Sequence, residues 1–105
     1  MLTIKRTAEF DSWLSGLRDT MTRIRLARRL DKVARGLLGD CKPVGAGVYE
    51  LREDFGPGWR MYYAQRGDVL VVMLGGGDKS TQQADIAAAQ ALAATLEPEE
   101  GEKKE

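Results

Sequence analysis

Two short segments of this sequence carry arginine, tyrosine and glutamate side chains at the alternating spacing of β-strands. Successive side chains of a strand point to opposite faces, so Arg60 and Tyr62 share one face of the segment 59–66. Glu50 and Arg52 share a face of the segment 48–53 in the same way. Two arginines and a tyrosine on one sheet face can hold a phosphate and stack on or hydrogen-bond a base. The pattern fits equally well a glutamate and an arginine that only compensate each other's charge.

Asp78 and Lys79 form a second candidate site, between a run of three glycines and a helix-like segment. A lysine near a helix N-terminus can balance negative charge that develops in a reaction. The simpler alternative is an aspartate that caps the helix, followed by a surface lysine. The run GGGDKST lacks the spacing of a nucleotide phosphate loop, and the Asp78 carboxylate would repel a triphosphate. We therefore reject a nucleotide-binding loop.

The composition excludes several classes of site. The 105 residues include no histidine, which removes the commonest general base, the usual catalytic triads and the usual catalytic zinc sites. The single cysteine, Cys41, excludes an intramolecular disulfide and a cysteine-cluster metal site. The longest apolar run, 69–74, is far shorter than the roughly 18 residues of a membrane span, and no signal-peptide pattern precedes it. We expect a cytoplasmic protein without a membrane partner.

The formal net charge is zero, but the charges are unevenly distributed. Residues 97–105 hold five glutamates and two lysines, whereas residues 1–96 carry a net charge of +3. Within residues 1–96, the segment 18–35 holds seven basic side chains and two acidic ones. The segment 97–105 has no apolar residue, so we predict a disordered acidic tail after a single folded domain at 1–96.

The order of the periodic segments predicts the fold that must position these side chains. Alternation predicts a strand at 2–7, and spacings of three and four predict a short helix capped by Thr7 and a longer helix with an apolar stripe from Ile24 to Leu37. A loop at 40–47 precedes three strands that form a meander, and an Ala-rich helix follows at about 82–96. We predict an α+β domain. Its antiparallel sheet, made of the N-terminal strand and the meander, packs against a two-helix hairpin and leaves its other face partly open.

Three runs of sequence resemble one known protein family. They are GDCKPVG at 39–45 with GVYELR at 47–52, GPGWRMYY at 56–63, and GGDKSTQ at 76–82 followed by Asp85, Ile86 and Ala89. Together they are similar to the phage-derived, HigB-like branch of the RelE/ParE toxin superfamily, whose members are often called addiction module killer proteins. The resemblance covers roughly residues 2–95.

This resemblance implies the toxin of a type II toxin–antitoxin pair that cleaves mRNA on the ribosome and needs neither metal nor cofactor. By position, Arg52 and Arg60 would bind and polarise the scissile phosphate. Lys79 would stabilise charge or assist proton transfer, and Tyr62 would position the nucleotide.

A histidine base used by some relatives is missing, which leaves the general base open between Lys79, Asp78 and Glu50.

The resemblance also implies partners: a small antitoxin, expected to be a DNA-binding helix-turn-helix protein, together with the ribosome and mRNA. The basic helix would contact ribosomal RNA, and the side chains we predict to bind RNA are Arg25, Arg28, Lys32, Arg35 and Lys42. Two alternatives stay open. One is a ParE-like inhibitor of DNA gyrase, and the other is an inactive toxin that acts only as the partner of its antitoxin.

Overall fold

The computed structural model describes residues 1–68 and 70–96 and shows a five-stranded sheet with helices on both of its faces. In chain order the elements are β1 (Thr3–Arg6), α1 (Ala8–Ser15), α2 (Thr20–Ala34), β2 (Cys41–Gly45), β3 (Val48–Arg52), β4 (Arg60–Arg66), β5 (Leu70–Gly77) and α3 (Gln82–Thr95). The predicted α+β class and C-terminal helix are confirmed. The predicted disordered tail, 97–105, lies outside the described residues.

The sheet has the strand order β1-β5-β4-β3-β2 and is mostly antiparallel. The meander is as predicted, because short links between β3, β4 and β5 force antiparallel neighbours. β1 differs from the prediction, since it pairs parallel to β5, with Thr3 opposite Leu70 and Arg6 opposite Met73. A parallel pair requires a long crossover, and the two early helices belong to the connection between these strands.

The segment 40–47, predicted to be a loop, contains the edge strand β2. Cys41 pairs with Leu51 and Lys42 with Glu50, antiparallel to β3. Pro43 and the neighbouring glycines are turn formers, so the sequence does not indicate a strand here. Proline is nevertheless tolerated in an edge strand, where its missing N–H faces no partner strand. The tight turn that follows contains Ala46, the one non-glycine residue with a positive φ in the described part of the chain.

The two faces of the sheet are covered by different helices. Leu51, Met61 and Tyr63 pack with α1 and α2, as the alternation of β3 and β4 predicts. The opposite face, predicted to be partly open, is instead covered by α3, whose Ala89 and Ala93 pack in the same cluster as Val48, Tyr62, Ala64, Val72 and Leu74. The prediction of an open face was wrong because the small side chains of α3 let this helix lie directly on the apolar part of the face.

Both early helices begin at the capping residues that satisfy their first N–H groups. The Thr7 Oγ1 accepts from the Phe10 N–H at 3.1 Å, as predicted, and an Asp19 carboxylate oxygen accepts from the Thr22 N–H at 3.1 Å. The buried stripe of α2 consists of Leu26, Leu30 and Val33, joined by Arg29. Ile24 and Leu37, expected in that stripe, are exposed.

No helix among residues 1–68 and 70–96 has the length and apolar composition that a membrane span requires.

Candidate functional site

A buried glutamate is the centre of the candidate site. Glu50 lies in the middle of β3 with no exposed surface, and its Oε2 accepts from the Tyr62 hydroxyl at 3.2 Å and from Gln82 Nε2 at 2.7 Å. Strand register explains the first contact, because Glu50 and Tyr62 are direct cross-strand partners between β3 and β4. Gln82, at the start of α3, supplies the second donor. A carboxylate removed from water needs such donors.

Arg60 provides the positive charge closest to this carboxylate. Its Nε lies 4.0 Å from the Glu50 Oε2, and its Nη1 donates to the Glu53 and Trp59 carbonyl oxygens, each at 3.0 Å. The residue is only 7% exposed, yet its Nε has no hydrogen-bond partner among the described residues. Glu50 Oε1 is likewise unpartnered there. The Arg60 Nε is therefore a buried donor beside the Glu50 carboxylate that no described residue pairs directly.

Lys79 is brought next to Arg60 by a glycine in the loop between β3 and β4. A Cβ at Gly58 would lie 2.4 Å from Lys79 Cδ and 3.7 Å from Arg60 Nη1, so both side chains pass over this residue. Gly58 also has a φ of +84°, a conformation that side chains disfavour. The Lys79 side chain is otherwise exposed and can meet a ligand that approaches Arg60.

Arg52 lies at the end of β3, directly opposite Arg60 in the strand register. Its guanidinium is drawn toward β2, where Nε lies 3.5 Å from an Asp40 carboxylate oxygen without forming a hydrogen bond. Both partners are substantially exposed, so this ion pair is weak. The two arginines predicted to bind a phosphate are thus neighbours on one face, with Arg52 held loosely.

Tyr62 is buried completely, which differs from the exposed ring expected on an open face. Its hydroxyl donates to Glu50, and its ring packs beneath α3. Burial first, and then the Glu50 charge, raise the pKa of Tyr62 well above its usual range. The hydroxyl therefore stays protonated and acts as a hydrogen-bond donor.

Asp78 acts as a cap at the start of the 3-10 turn Lys79–Thr81. Its Oδ1 accepts from the Ser80 N–H at 2.8 Å and from the Ser80 hydroxyl at 2.5 Å. These hydrogen bonds to Ser80 lower the pKa of Asp78 below its usual value. A carboxylate stabilised in its charged form is a weaker base, so the structure favours the capping role that the sequence left open.

The basic residues of α2 form an exposed surface away from Glu50. Arg25, Arg28 and Lys32 line a shallow cavity of about 200 Å³ together with Arg29 and Glu53. We call the three exposed side chains, Arg25, Arg28 and Lys32, the basic surface. Arg35, at the end of α2, is exposed but does not line the cavity, and Lys42 lies on β2 in a different groove. The five predicted RNA-binding residues are thus all exposed, but only three of them are brought together.

Arg29 is a site-supporting residue that sequence reasoning missed. It is nearly buried and forms an ion pair with Glu53 at 2.5 Å, while its two Nη atoms donate to the carbonyl oxygens of Arg52, Leu38 and Asp40, each at 2.8 Å. It thereby ties α2 to the end of β3. Arg29 lies three residues after the buried Leu26 and four residues before the buried Val33. This helical spacing is the sequence signal for a position on the inner side of α2.

Comparison with known proteins places the chain in the class of RelE-like toxins of toxin–antitoxin systems. Within that class the protein belongs to the family described as Phage derived protein Gp49-like (DUF891), which it matches over residues 12–95. It is also similar to an uncharacterized protein of Haemophilus influenzae, with 44% identity over 95 residues, covering 90% of this chain and 96% of that protein.

Proposed function

We propose that this protein is a HigB-like toxin of a type II toxin–antitoxin pair that inhibits translation by cleaving mRNA on the ribosome without a metal ion. The observation that carries the proposal is a group of three cationic side chains: Arg52 lies opposite Arg60 in the strand register, and Lys79 lies next to Arg60 across Gly58. Arginine and lysine side chains grouped in this way can bind an RNA phosphate. Membership of the family supports a toxin with an antitoxin partner.

In the proposed reaction the 2′-oxygen of a ribose attacks the adjacent phosphorus, and the bond from phosphorus to the next 5′-oxygen breaks. The 2′-hydroxyl proton passes to a base, and the departing 5′-oxygen takes up a proton. Arg52 and Arg60 bind the phosphate and neutralise the charge that builds on its oxygens. Orientation and fixed charges of this kind can together supply several kcal/mol of barrier lowering.

Lys79 is the exposed member of the site and therefore stabilises charge or assists proton transfer in our proposal. Glu50 is less accessible, since Gln82 and Tyr62 both bind its Oε2 and no part of it is exposed. We assign Tyr62 an indirect role: it positions the nucleotide by holding the Glu50 carboxylate beside Arg60.

The basic surface is proposed to contact ribosomal RNA, because exposed arginines and lysines on one helix face bind phosphates without regard to sequence. The antitoxin, proposed to be a small DNA-binding protein, would neutralise the toxin by covering this surface or the candidate site.

Substitution of Arg60 tests the assignment. Induced expression of the wild-type protein should stop growth and produce codon-linked cuts in cellular mRNA, detected by primer extension. Arg60→Ala should lose both effects while the protein stays folded and binds its antitoxin. Arg18→Ala, at an exposed loop arginine, is the matched control and should behave as the wild type.

Two other results would contradict the proposal. DNA breaks without mRNA cuts would identify a gyrase inhibitor, and normal growth with abundant wild-type protein would identify an inactive partner of the antitoxin.

A further inference from the structure

A groove lies between the edge strand β2 and helix α3, and it adjoins the candidate site at Gln82. Its lining includes Lys42, Pro43 and Val44 of β2 and Gln82, Gln83 and Gln90 of α3. Its volume, about 540 Å³, lies within the roughly 300–1,000 Å³ of small-ligand sites. The groove follows from the topology, because β2 is at the edge of the sheet and α3 covers only the face beside it.

Gln82 belongs to both the groove and the candidate site. It lines the groove, and its Nε2 donates to the buried Glu50 carboxylate at 2.7 Å. Glu50 in turn lies 4.0 Å from Arg60, the residue proposed to hold the scissile phosphate. The groove and the candidate site therefore meet at Gln82.

The lining chemistry suits a nucleotide. Lys42 is exposed and can bind a phosphate as a point charge, while glutamine amides both donate to and accept from base edges. Pro43 and Ile86 add apolar surface against which a ribose or a base can pack. Among the described residues that line the groove none is acidic, so nothing there repels a phosphate.

The three glutamines are not equivalent. Gln82 is engaged with Glu50, and Gln90 Nε2 donates to the Val44 carbonyl oxygen at 2.9 Å, which ties α3 to β2. Gln83 is exposed at the groove and has no contact of this kind with another described residue, so its amide is the one available to a base.

We propose that this groove is the subsite for a nucleotide of single-stranded RNA next to the scissile phosphate, with Lys42 on its phosphate and Gln83 on its base edge. Gln83 is then a specificity-determining residue, and Lys42 contributes affinity without sequence preference. The inference rests on the proposed endonuclease function.

The test measures kcat and KM of the purified protein on ribosomes carrying mRNAs that differ only in the nucleotides flanking the cut. Gln83→Ala should reduce discrimination at one flanking position by about tenfold, because an amide pair with a base edge provides that order of selectivity. Lys42→Ala should raise KM on every mRNA by about three- to tenfold and leave kcat nearly unchanged, as the loss of one phosphate contact does.

Matched controls are Gln65→Ala on β4 and Lys5→Ala on β1, two exposed residues of the same types that do not line the groove. Both should keep wild-type kinetics. Gln83→Glu adds a carboxylate to the groove and should raise KM, which gives a second reading of the same position if Gln83→Ala alters the fold.

The outcomes separate the two proposals. Absence of mRNA cleavage by the wild-type protein would overturn the endonuclease function and the subsite with it. Wild-type cleavage, combined with unchanged discrimination in Gln83→Ala and an unchanged KM in both Gln83→Glu and Lys42→Ala, would overturn the subsite alone.

Discussion

At the scale of single residues, the site is organised by a buried charge with few partners. Glu50 has no exposed surface and depends on Tyr62, Gln82 and the more distant Arg60. A carboxylate in such a position is expensive to leave unpaired, so each of these groups contributes to stability as well as to geometry. Among the described residues, Glu50 Oε1 and Arg60 Nε have no hydrogen-bond partner, so these residues do not complete the network.

Tyr62→Phe tests this dependence directly. The substitution removes one of the two hydrogen bonds to Glu50 and should lower the free energy of unfolding by about 2 kcal/mol, as expected for a hydrogen bond to a charged group. Urea denaturation measures the change. Tyr49→Phe is the control, since Tyr49 is only half-buried, and should change stability much less. Equal effects of the two substitutions would contradict the network.

The raised pKa of Tyr62 predicts a loss of stability at alkaline pH. The unfolded chain releases the phenol proton near pH 10, whereas burial and the Glu50 charge keep it bound in the fold. Because the unfolded state then binds fewer protons, the free energy of unfolding falls as pH rises from 10 toward the folded pKa. For one tyrosine, the free energy of unfolding falls by at most about 1.4 kcal/mol per pH unit. Tyr62→Phe should make the decline shallower, and an unchanged slope would contradict the assignment. Burial also raises the pKa of Tyr63, which adds to the decline in the same direction.

At the scale of elements, the α2 helix is fastened to the sheet through one side chain. Arg29→Ala removes an ion pair and three hydrogen bonds to backbone carbonyls, and it leaves Glu53 uncompensated. The free energy of unfolding should fall by about 3 kcal/mol. The neighbouring Arg28→Ala is the control, because its side chain is exposed, and it should change stability by less than about 0.5 kcal/mol. Similar thermal unfolding of the two variants would show that Arg29 does not hold α2.

The loop between β3 and β4 is expected to control where Lys79 lies. Gly58→Ala introduces a methyl group 2.4 Å from Lys79 Cδ and should displace this side chain from Arg60. Gly67→Ala is the matched control, since Gly67 also has a positive φ but no atom within 4 Å of the added methyl group. Both should lose about 1 kcal/mol of stability through backbone strain. Only Gly58→Ala should also lose about tenfold or more in mRNA cleavage; equal activity of the two variants would exclude this positioning.

The same elements show how far sequence patterns reach. Alternation in β3 and β4 correctly assigned Leu51 and Met61 to one face and Glu50 and Tyr62 to the other. It did not reveal that α3 covers the second face, because packing between distant segments leaves no local period in an Ala-rich helix. β2 was missed because Pro43 and its neighbouring glycines are turn formers, and only pairing with β3 makes the segment a strand. The proximity of Lys79 to Arg60 across Gly58 also depends on tertiary structure, which no local sequence pattern predicts.

At the scale of the whole molecule, zero net charge conceals two opposing parts. Residues 1–96 carry +3, and the segment 97–105 carries −3. The exposed arginines and lysine of the basic surface attract polyanions, while the five glutamates of the segment 97–105 carry the opposite charge. This balance affects encounter with RNA or ribosomes more than the fold, since it involves exposed charges that are screened by salt.

Neutralising the acidic segment should therefore strengthen binding in a salt-dependent way. Replacement of its five glutamates by glutamine keeps the chain length and should tighten binding to ribosomes by about threefold at low ionic strength. The gain should disappear at high salt, where the Debye length shrinks to about 3 Å at 1 M. Truncation after residue 96 should reproduce the gain if charge alone is responsible. Equal affinities of all three proteins at every salt concentration would show that the segment does not oppose the basic surface.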